Sequence, residues 1–159
     1  MLRPKRFGIF VSLKHMGDSG AVRVVLFRLG SVLWAIPATV VREVITADRP
    51  TRIPGSDRIV AGLINLRGTL LTVLNGRRGV GLTDSGVEAG SILVVEQGGR
   101  SYGLSIDEVL DLIDVRPEDL TEGGTPPGLD ARLVRAQGHH GGRAFAVLNT
   151  AALFAPVLG

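Results

Sequence analysis

Arg67 is the residue whose chemistry contrasts most with its surroundings. It lies in the run Asn65-Leu66-Arg67-Gly68, and the apolar pair Leu70-Leu71 follows closely. A guanidinium group carries five N–H donors and stays charged, so it cannot be buried among leucines without acceptors around it. We therefore expect Arg67 to be an internal strut whose donors tie together backbone carbonyls of adjoining loops.

The pair His139-His140 is a possible metal site. Neighbouring residues on a strand point to opposite faces, so one ion rarely reaches both. Neither histidine has a Cys or a carboxylate close to it in the sequence, and both lie at a Gly-rich hairpin tip. We expect no metal to bind there.

Covalent and cofactor chemistry find little support. The sequence contains no Cys, which excludes disulfides, thiolate ligands and a Cys nucleophile. It also lacks the Gly-x-Gly-x-x-Gly and P-loop spacings, and no motif assembles a nucleophile, a base and an oxyanion site. The sequence therefore predicts no catalytic residue and no cofactor, which leaves an enzyme of unrecognised type as a minor alternative.

Charge and aromatic content bear on a nucleic-acid partner. The net charge is only +3, although the pI is about 10.2. A small barrel that binds single strands needs aromatic stacking platforms. The chain has one Trp, one Tyr and five Phe, and Trp34 and Tyr102 fit internal positions. We keep a nucleic-acid-binding barrel as the rival hypothesis but expect no nucleic acid to bind. No apolar run approaches the roughly 18 residues that span a bilayer, so we expect no membrane insertion. The absence of Cys suits a reducing compartment, and we expect a cytoplasmic protein.

The sequence repeats itself. Residues 27–45 match residues 95–113 without gaps at an offset of 68, and residues 68–75 match residues 142–149 at an offset of 74. The loop Thr121–Gly128 can hold the six extra residues. The aligned pairs include Gly30 with Gly98, Trp34 with Tyr102, Val41 with Val109, Glu43 with Asp111, and Asn75 with Asn149. Two repeats in the same order indicate a duplication, and two copies must close as paired lobes.

Each copy of the repeat contains short predicted strands separated by Gly residues. This pattern favours small closed barrels. We predict strands from apolar, β-branched runs, amphipathic turns after two hairpins, and a short helix in the first copy. The predicted strands are Val22–Leu29, Val32–Ile36, Thr69–Leu74, Ser91–Glu96, Arg100–Leu104, Leu133–Gln137 and Arg143–Leu148. The predicted turns carry Val40, Val41, Val44 and Ile45, capped by Thr39, and Val109, Leu110 and Ile113, capped by Asp107. The predicted helix begins at Ser56 or Asp57 and carries Ile59, Val60 and Leu63, and a terminal helix covers Ala151–Val157.

The N-terminus carries basic residues followed by an apolar run, which imitates a signal peptide without a cleavage site. We expect residues 1–21 to be a poorly ordered extension, with Met16 as the true start.

Five ordered motifs resemble the CheW-like chemotaxis adaptor family. The central one is the run from Ile53 to Leu71, with a Pro, a Gly and the box Asn65-Leu66-Arg67-Gly68. The others are Phe27-Arg-Leu-Gly with Ala35-Ile-Pro37, Val41-Arg-Glu43-Val44, Gly103-Leu-Ser-Ile-Asp107-Glu-Val109, and Val147-Leu-Asn-Thr-Ala-Ala-Leu153. Thr72 and Asn75-Gly76 stand where the family usually has a Pro and an Asp-Leu pair. We expect this departure to weaken packing at the end of that strand and to make the connector Gly76–Gly90 differ from the family's.

The resemblance implies a mainly β fold of two five-stranded SH3-like barrels, with short helices and a C-terminal helix. We expect one CheW-like domain over residues 22–158, with barrels at about 22–80 and 90–150 and the helix at about 150–157. It implies a non-catalytic adaptor that couples the cytoplasmic tip of chemoreceptors to the regulatory domain of a histidine kinase. A scaffold in a non-motility pathway is the alternative. The partner-binding residues it implies are Val41, Glu43, Gly62, Asn65 and Arg67. From the residues alone, Val41 could equally be core, Glu43 solvated, and Gly62 a point of close backbone approach.

Overall fold

The computed structural model describes residues 20–46, 49–82 and 90–157. Eleven strands account for most of this part of the chain. They are β1 (Val22–Leu29), β2 (Val32–Pro37), β3 (Val41–Thr46), β4 (Val60–Leu66), β5 (Thr69–Asn75), β6 (Ser91–Gln97), β7 (Arg100–Ile106), β8 (Glu108–Val115), β9 (Thr121–Glu122), β10 (Val134–His140) and β11 (Arg143–Leu148). Two short helices, α1 (Gly76–Gly79) and α2 (Thr150–Phe154), follow β5 and β11. Single 3₁₀ turns lie at Ala38–Val40, Pro117–Asp119, Ala131–Leu133 and Ala155–Val157.

The strands form two sheets whose members come from both halves of the sequence. The five-stranded sheet has the order β3-β6-β7-β5-β4, and the six-stranded sheet has the order β8-β1-β2-β11-β10-β9. The mainly β fold with two β subdomains and a C-terminal helix is confirmed. The barrel limits at about 22–80 and 90–150 need correction, because each hairpin β1–β2 and β6–β7 pairs with strands of the other half.

Three groups of buried side chains hold the sheets together. One consists of side chains from the five-stranded sheet and includes Ile45, Ile64 and Val73. A second consists of side chains from the six-stranded sheet and includes Phe145. The largest group lies between the sheets and includes Trp34, which is fully buried. Burial of apolar area on both faces of each sheet explains why the strands are so rich in Val, Ile and Leu.

Trp34 and Tyr102 lie at equivalent positions of the repeat, and both are internal as predicted. Tyr102 is 6% exposed, and its ring lies 5.3 Å from that of Phe154 in α2. The terminal helix is confirmed over Thr150–Phe154 and continues as the 3₁₀ turn Ala155–Val157. It closes one end of the core between the sheets.

Three local predictions are wrong. The predicted amphipathic turns are strands β3 and β8, since their β-branched residues pair with β6 and β1. The predicted helix beginning at Ser56 or Asp57 is a turn that leads into β4. Thr39 makes no capping hydrogen bond, and Asp107 serves a different purpose, described below.

Within the described residues, no helix is long and apolar enough to cross a membrane. Residues 1–19, most of the predicted N-terminal extension, lie outside them.

Candidate functional site

The hairpin that joins β4 to β5 presents the box Asn65–Gly68 at its tip. Leu66 pairs with Thr69, so the loop is the two residues Arg67 and Gly68. Their φ angles are +51° and +86°, which match the type I′ turn that suits twisted hairpins. The side-chain oxygen of Asn65 accepts a hydrogen bond of 2.8 Å from the Gly68 amide. The box is therefore a hairpin tip, and Asn65 fixes its shape.

Arg67 is the one non-glycine residue with a positive φ among the described residues. A side chain in this left-handed region costs about 1–2 kcal/mol relative to the right-handed one. The equivalent turn of the second copy, Gly141-Gly142, has φ angles of +59° and +78° without that cost. Arg67 therefore adopts this conformation at a backbone cost, which its side-chain contacts must offset.

The Arg67 guanidinium forms a two-pronged ion pair with Glu43 of β3. Its Nη1 donates to Glu43 Oε2 at 3.3 Å, and its Nη2 donates to Oε1. The hydrogen bond to Glu43 and the attraction of that carboxylate raise the pKa of Arg67. The Glu43 side chain is 8% exposed and that of Arg67 is 56% exposed. One part of the guanidinium thus holds a buried carboxylate, while the rest is open to solvent.

This ion pair joins the two ends of the five-stranded sheet. Strands β3 and β4 are its outermost members in hydrogen-bonding order, yet Glu43 on β3 meets Arg67 at the end of β4. Ile45 of β3 and Ile64 of β4 also pack in the same apolar group. The sheet therefore curls until its edges meet. Arg67 is a strut as predicted, but it binds a carboxylate rather than backbone carbonyls and is not enclosed.

Leu70 adds an apolar element beside this ion pair. It lies opposite Asn65 in the β4–β5 ladder and is 67% exposed, the most of any large apolar side chain in the described part of the chain. Sequence reasoning missed Leu70. Its neighbour Leu71 points into the sheet interior, and strand alternation turns Leu70 outward.

Two predicted site residues have packing roles. Val41 is fully buried in the apolar group between the sheets, so of the two roles that the sequence left open it has the core one and does not contact a partner directly. Gly62 has a φ of +149°, and a Cβ there would overlap the Thr51 carbonyl group. Thr51 and Leu63 exchange two backbone hydrogen bonds of 2.8 Å at this point. Gly62 thus permits the close backbone approach that the sequence suggested.

Asp107 forms a junction between the two sheets, and sequence reasoning did not foresee it. It follows β7 of the five-stranded sheet and precedes β8 of the six-stranded sheet. Arg77 of α1 donates to both of its oxygens, at 2.8 and 2.6 Å. Arg28 of β1 and the Gly30 amide donate to Oδ2 at 3.1 and 2.9 Å. The Asp107 side chain is 7% exposed, so the charge is enclosed by its donors.

Opposing effects set the pKa of Asp107. Burial raises it, but the hydrogen bonds from Arg77 and the Gly30 amide and the charges of Arg77 and Arg28 outweigh burial. The pKa of Asp107 therefore lies below its ordinary value. The carboxylate is ionised at neutral pH and holds α1, the β1–β2 turn and the β7–β8 link together.

A groove of about 430 Å³ separates the two sheets on one side of the molecule. Residues Val44–Thr46 of β3 form one wall, and residues Glu108–Leu112 of β8 form the other. Leu110 is 37% exposed and lines this groove. Because the walls come from different sheets, the groove is the seam between the two subdomains.

The family model described as the CheW-like domain matches residues 23–157, nearly the whole described chain. The chain belongs to the CheW-like domain family. Its motifs, its two sheets and its shared core agree with that membership.

Known CheW-like proteins match with modest identity. The chain is 26% identical over 99 residues to a chemotaxis protein CheW of Bacillus subtilis, covering 62% of this chain and 64% of that protein. It is 28% identical over 108 residues to one of Rhizobium meliloti, covering 67% and 69%. The crystal structure of the scaffolding protein TtCheW from Thermoanaerobacter tengcongensis superposes with a TM-score of 0.78 at 24% identity, covering 84% of this chain and 92% of that one. The match thus spans slightly under two thirds of the B. subtilis relative's length.

The departures from the CheW-like pattern at the end of β5 are accommodated. The Asn75 side chain accepts a 3.0 Å hydrogen bond from the Arg78 amide and so begins α1. Asn149, its partner in the repeat, does the same at 3.2 Å for Ala152. A Cβ on Gly76 would overlap the Ser105 carbonyl oxygen. The prediction that packing is weakened here is therefore wrong, because α1 lies close against β7. Within the connector, residues 83–89 lie outside the described ones.

His139 and His140 are exposed at the β10–β11 tip of this CheW-like chain. His140 Nε2 lies 3.3 Å from Asp111 Oδ2 on β8. Among the described residues, no three His, Cys, Asp or Glu side chains converge as metal ligands.

Proposed function

We propose that this chain is a non-catalytic, cytoplasmic signalling adaptor. In this proposal it binds the regulatory domain of a chemotaxis histidine kinase and the cytoplasmic tip of chemoreceptors. It acts by holding enzyme and sensor in a geometry that shifts the kinase between states of different activity. Membership of the CheW-like family and the likeness to chemotaxis CheW proteins support the proposal.

The observation that carries the proposal is the half-exposed guanidinium of Arg67 beside the exposed Leu70. A protein interface of about 1,600 Å² usually depends on a few anchors, in which Arg is over-represented. Glu43 fixes the direction of Arg67, so little side-chain freedom is lost when a partner binds. We assign the kinase to this surface, together with Asn65, which shapes the tip. Glu43 holds Arg67 from within, and Val41 and Gly62 pack in the strands β3 and β4 that carry the two partners of this ion pair.

We assign the receptor to the groove between the subdomains. Its exposed Leu110 and partly buried Val109 and Leu112 offer apolar contacts, and Glu108 and Asp111 lie beside them. An amphipathic helix binds such grooves through an apolar stripe with polar flanks. A receptor's helical hairpin has this character.

The decisive test is titration calorimetry of the full chain, and of a form that begins at Met16, with the regulatory domain of the cognate kinase. We expect Arg67→Gly and Leu70→Ser to weaken kinase binding by about tenfold or more. Glycine suits the positive φ of position 67, so the first variant preserves the turn. Leu110→Ser serves as the matched control, which should weaken binding of a receptor-tip fragment and leave kinase binding intact. Absence of kinase binding by both wild-type forms would refute the proposal.

A further inference from the structure

A third surface carries an excess of positive charge. The loop before β4 and helix α1 enclose a cleft of about 520 Å³. Three arginines line it, Arg52, Arg58 and Arg78, with Asp57 as the one carboxylate among its lining residues. Its remaining surface includes the apolar side chains of Ile53, Pro54, Val60 and Ala61.

The loop that forms this cleft is held by its own hydrogen bonds. The Ser56 hydroxyl donates to the Ile53 carbonyl at 2.7 Å, and the Ile59 amide donates to Asp57 Oδ1 at 3.0 Å. Arg78 reaches from α1 and donates to the Arg58 carbonyl at 3.3 Å. Asp57 is thereby engaged with the backbone, and the shape of the cleft is fixed in advance of binding.

Arg52 and Arg58 have no ion pair or side-chain hydrogen bond to any described residue, and both are exposed. Arg23 and Arg132, by contrast, each have a carboxylate partner. Two unpaired guanidinium groups on the rim of a preformed cleft create a local positive potential that favours an anion. Guanidinium groups bind carboxylates through two parallel hydrogen bonds.

We propose that this cleft binds a segment of a partner protein that carries Asp or Glu side chains. The two arginines bind the carboxylates, and the apolar lining receives the methylene and backbone groups between them. A peptide suits this lining better than a nucleic acid, because no aromatic side chain lines the cleft on which a base could stack. This surface is separate from the tip at Arg67 and from the groove at Leu110, and it does not depend on what they bind.

The test uses fluorescence anisotropy with a labelled glutamate-rich decapeptide and the full chain. The probe should bind, and Arg52→Glu/Arg58→Glu should weaken its binding by about tenfold or more. The matched control is Arg100→Glu/Arg135→Glu, which reverses two exposed arginines outside the cleft. It alters net charge equally, so we expect a loss of less than about twofold. Thermal melting checks that both variants fold.

Several outcomes overturn the proposal. An equal loss in both double variants indicates a general field rather than a site. If the glutamate peptide does not bind at about 1 mM, the cleft is not a site for acidic segments. If the glutamine version of the peptide binds equally well, the cleft does not recognise carboxylates. A single-stranded DNA decamer that binds as tightly as the peptide, and is lost with the same arginines, identifies a nucleic-acid site instead. None of these results bears on kinase binding at the Arg67 tip.

Discussion

Two hairpin tips that the repeat places in equivalent positions are tied to the opposite edges of their sheets in different ways. At the β4–β5 tip, Arg67 holds Glu43 on β3. At the β10–β11 tip, His140 lies against Asp111 on β8. Glu43 and Asp111 are aligned in the repeat, and both tips have two-residue turns with positive φ. The two copies of the repeat therefore both have a contact from the hairpin tip to the opposite edge strand, but they use different groups for it.

The two ties differ in burial. Glu43 is 8% exposed beneath Arg67, whereas Asp111 and His140 are 53% and 44% exposed. Ion pairs in water contribute little, while a buried carboxylate that loses its partner is costly. The five-stranded sheet thus depends on its tie, and the six-stranded sheet needs its tie far less. Only the first tip also places a strained, half-exposed arginine on the surface, which is consistent with a use beyond stability.

The largest loss of stability is expected at neither tip but at Asp107, whose carboxylate is enclosed by Arg28 of β1 and Arg77 of α1. Asp107→Asn keeps the shape but removes the charge that Arg28 and Arg77 share. We expect a loss of about 3 kcal/mol in the free energy of unfolding, measured by urea denaturation. A loss below about 1 kcal/mol would show that the burial of a carboxylate does not determine how much its ion pairs stabilise the fold.

The same variant should alter the dependence of stability on pH. The pKa of Asp107 is lowered in the folded state, so its contribution is fully present above the unfolded value of about 3.9 and is lost as pH falls through the folded value. Melting temperatures of wild type and Asp107→Asn should therefore converge below about pH 4. A constant difference from pH 3 to 7 would contradict this assignment.

Glu43 comes next in expected effect. Glu43→Gln removes the charge from a buried position and leaves one weaker hydrogen bond to Arg67. We expect a loss of about 1–2 kcal/mol in urea denaturation. Glu122→Gln, at an exposed carboxylate of β9, is the control and should be neutral. If both variants unfold alike, the tie contributes nothing to closure.

Much of the fold was accessible from the sequence because duplication and strand alternation are local patterns. The hairpins at Gly30 and Gly98, the internal Trp34 and Tyr102, and the terminal helix follow from such patterns. The helix predicted from Ser56 or Asp57 failed because Ile59, Val60 and Leu63 satisfy a helical spacing, but pairing with β5 and Thr51 decides the outcome. The sequence also did not predict that each half contributes strands to the sheet of the other half. No local pattern indicates which strands a given hairpin will pair with.

The candidate site was only partly accessible for the same reason. The motif around Arg67 marked the tip, but its partner Glu43 lies 24 residues away, and nothing in the spacing links them. The sequence left Val41 open between a partner contact and the core, because a β-branched residue beside charges fits both, and the structure buries it. Asp107 was predicted to cap an amphipathic turn, since its hydrogen-bond donors Arg28 and Arg77 are distant in the sequence and meet it only in the folded structure.

A smaller change in stability is expected from the backbone conformation at position 67. It can be measured separately from the ion pair by comparing two variants that both lack the guanidinium. Arg67→Ala and Arg67→Gly both lack the guanidinium, but only alanine retains the strained φ of +51°. We expect the glycine variant to melt about 2–4 °C above the alanine variant. Differential scanning calorimetry measures this difference. If the alanine variant melts at or above the glycine variant, the turn is not strained, and the Arg67 side chain has no backbone cost to offset.

The smallest effect is expected at Asp111. Asp111→Asn removes the carboxylate that faces His140, but both groups are already solvated and each exchanges its partner for water. We expect a change of less than about 0.5 kcal/mol in urea denaturation. A loss as large as that of Glu43→Gln would mean that the position of a tie in the repeat, rather than its burial, sets its strength. A near-zero value places the stabilising closure in the five-stranded sheet alone, where the tip that carries Arg67 must stay rigid to present one side chain to a partner.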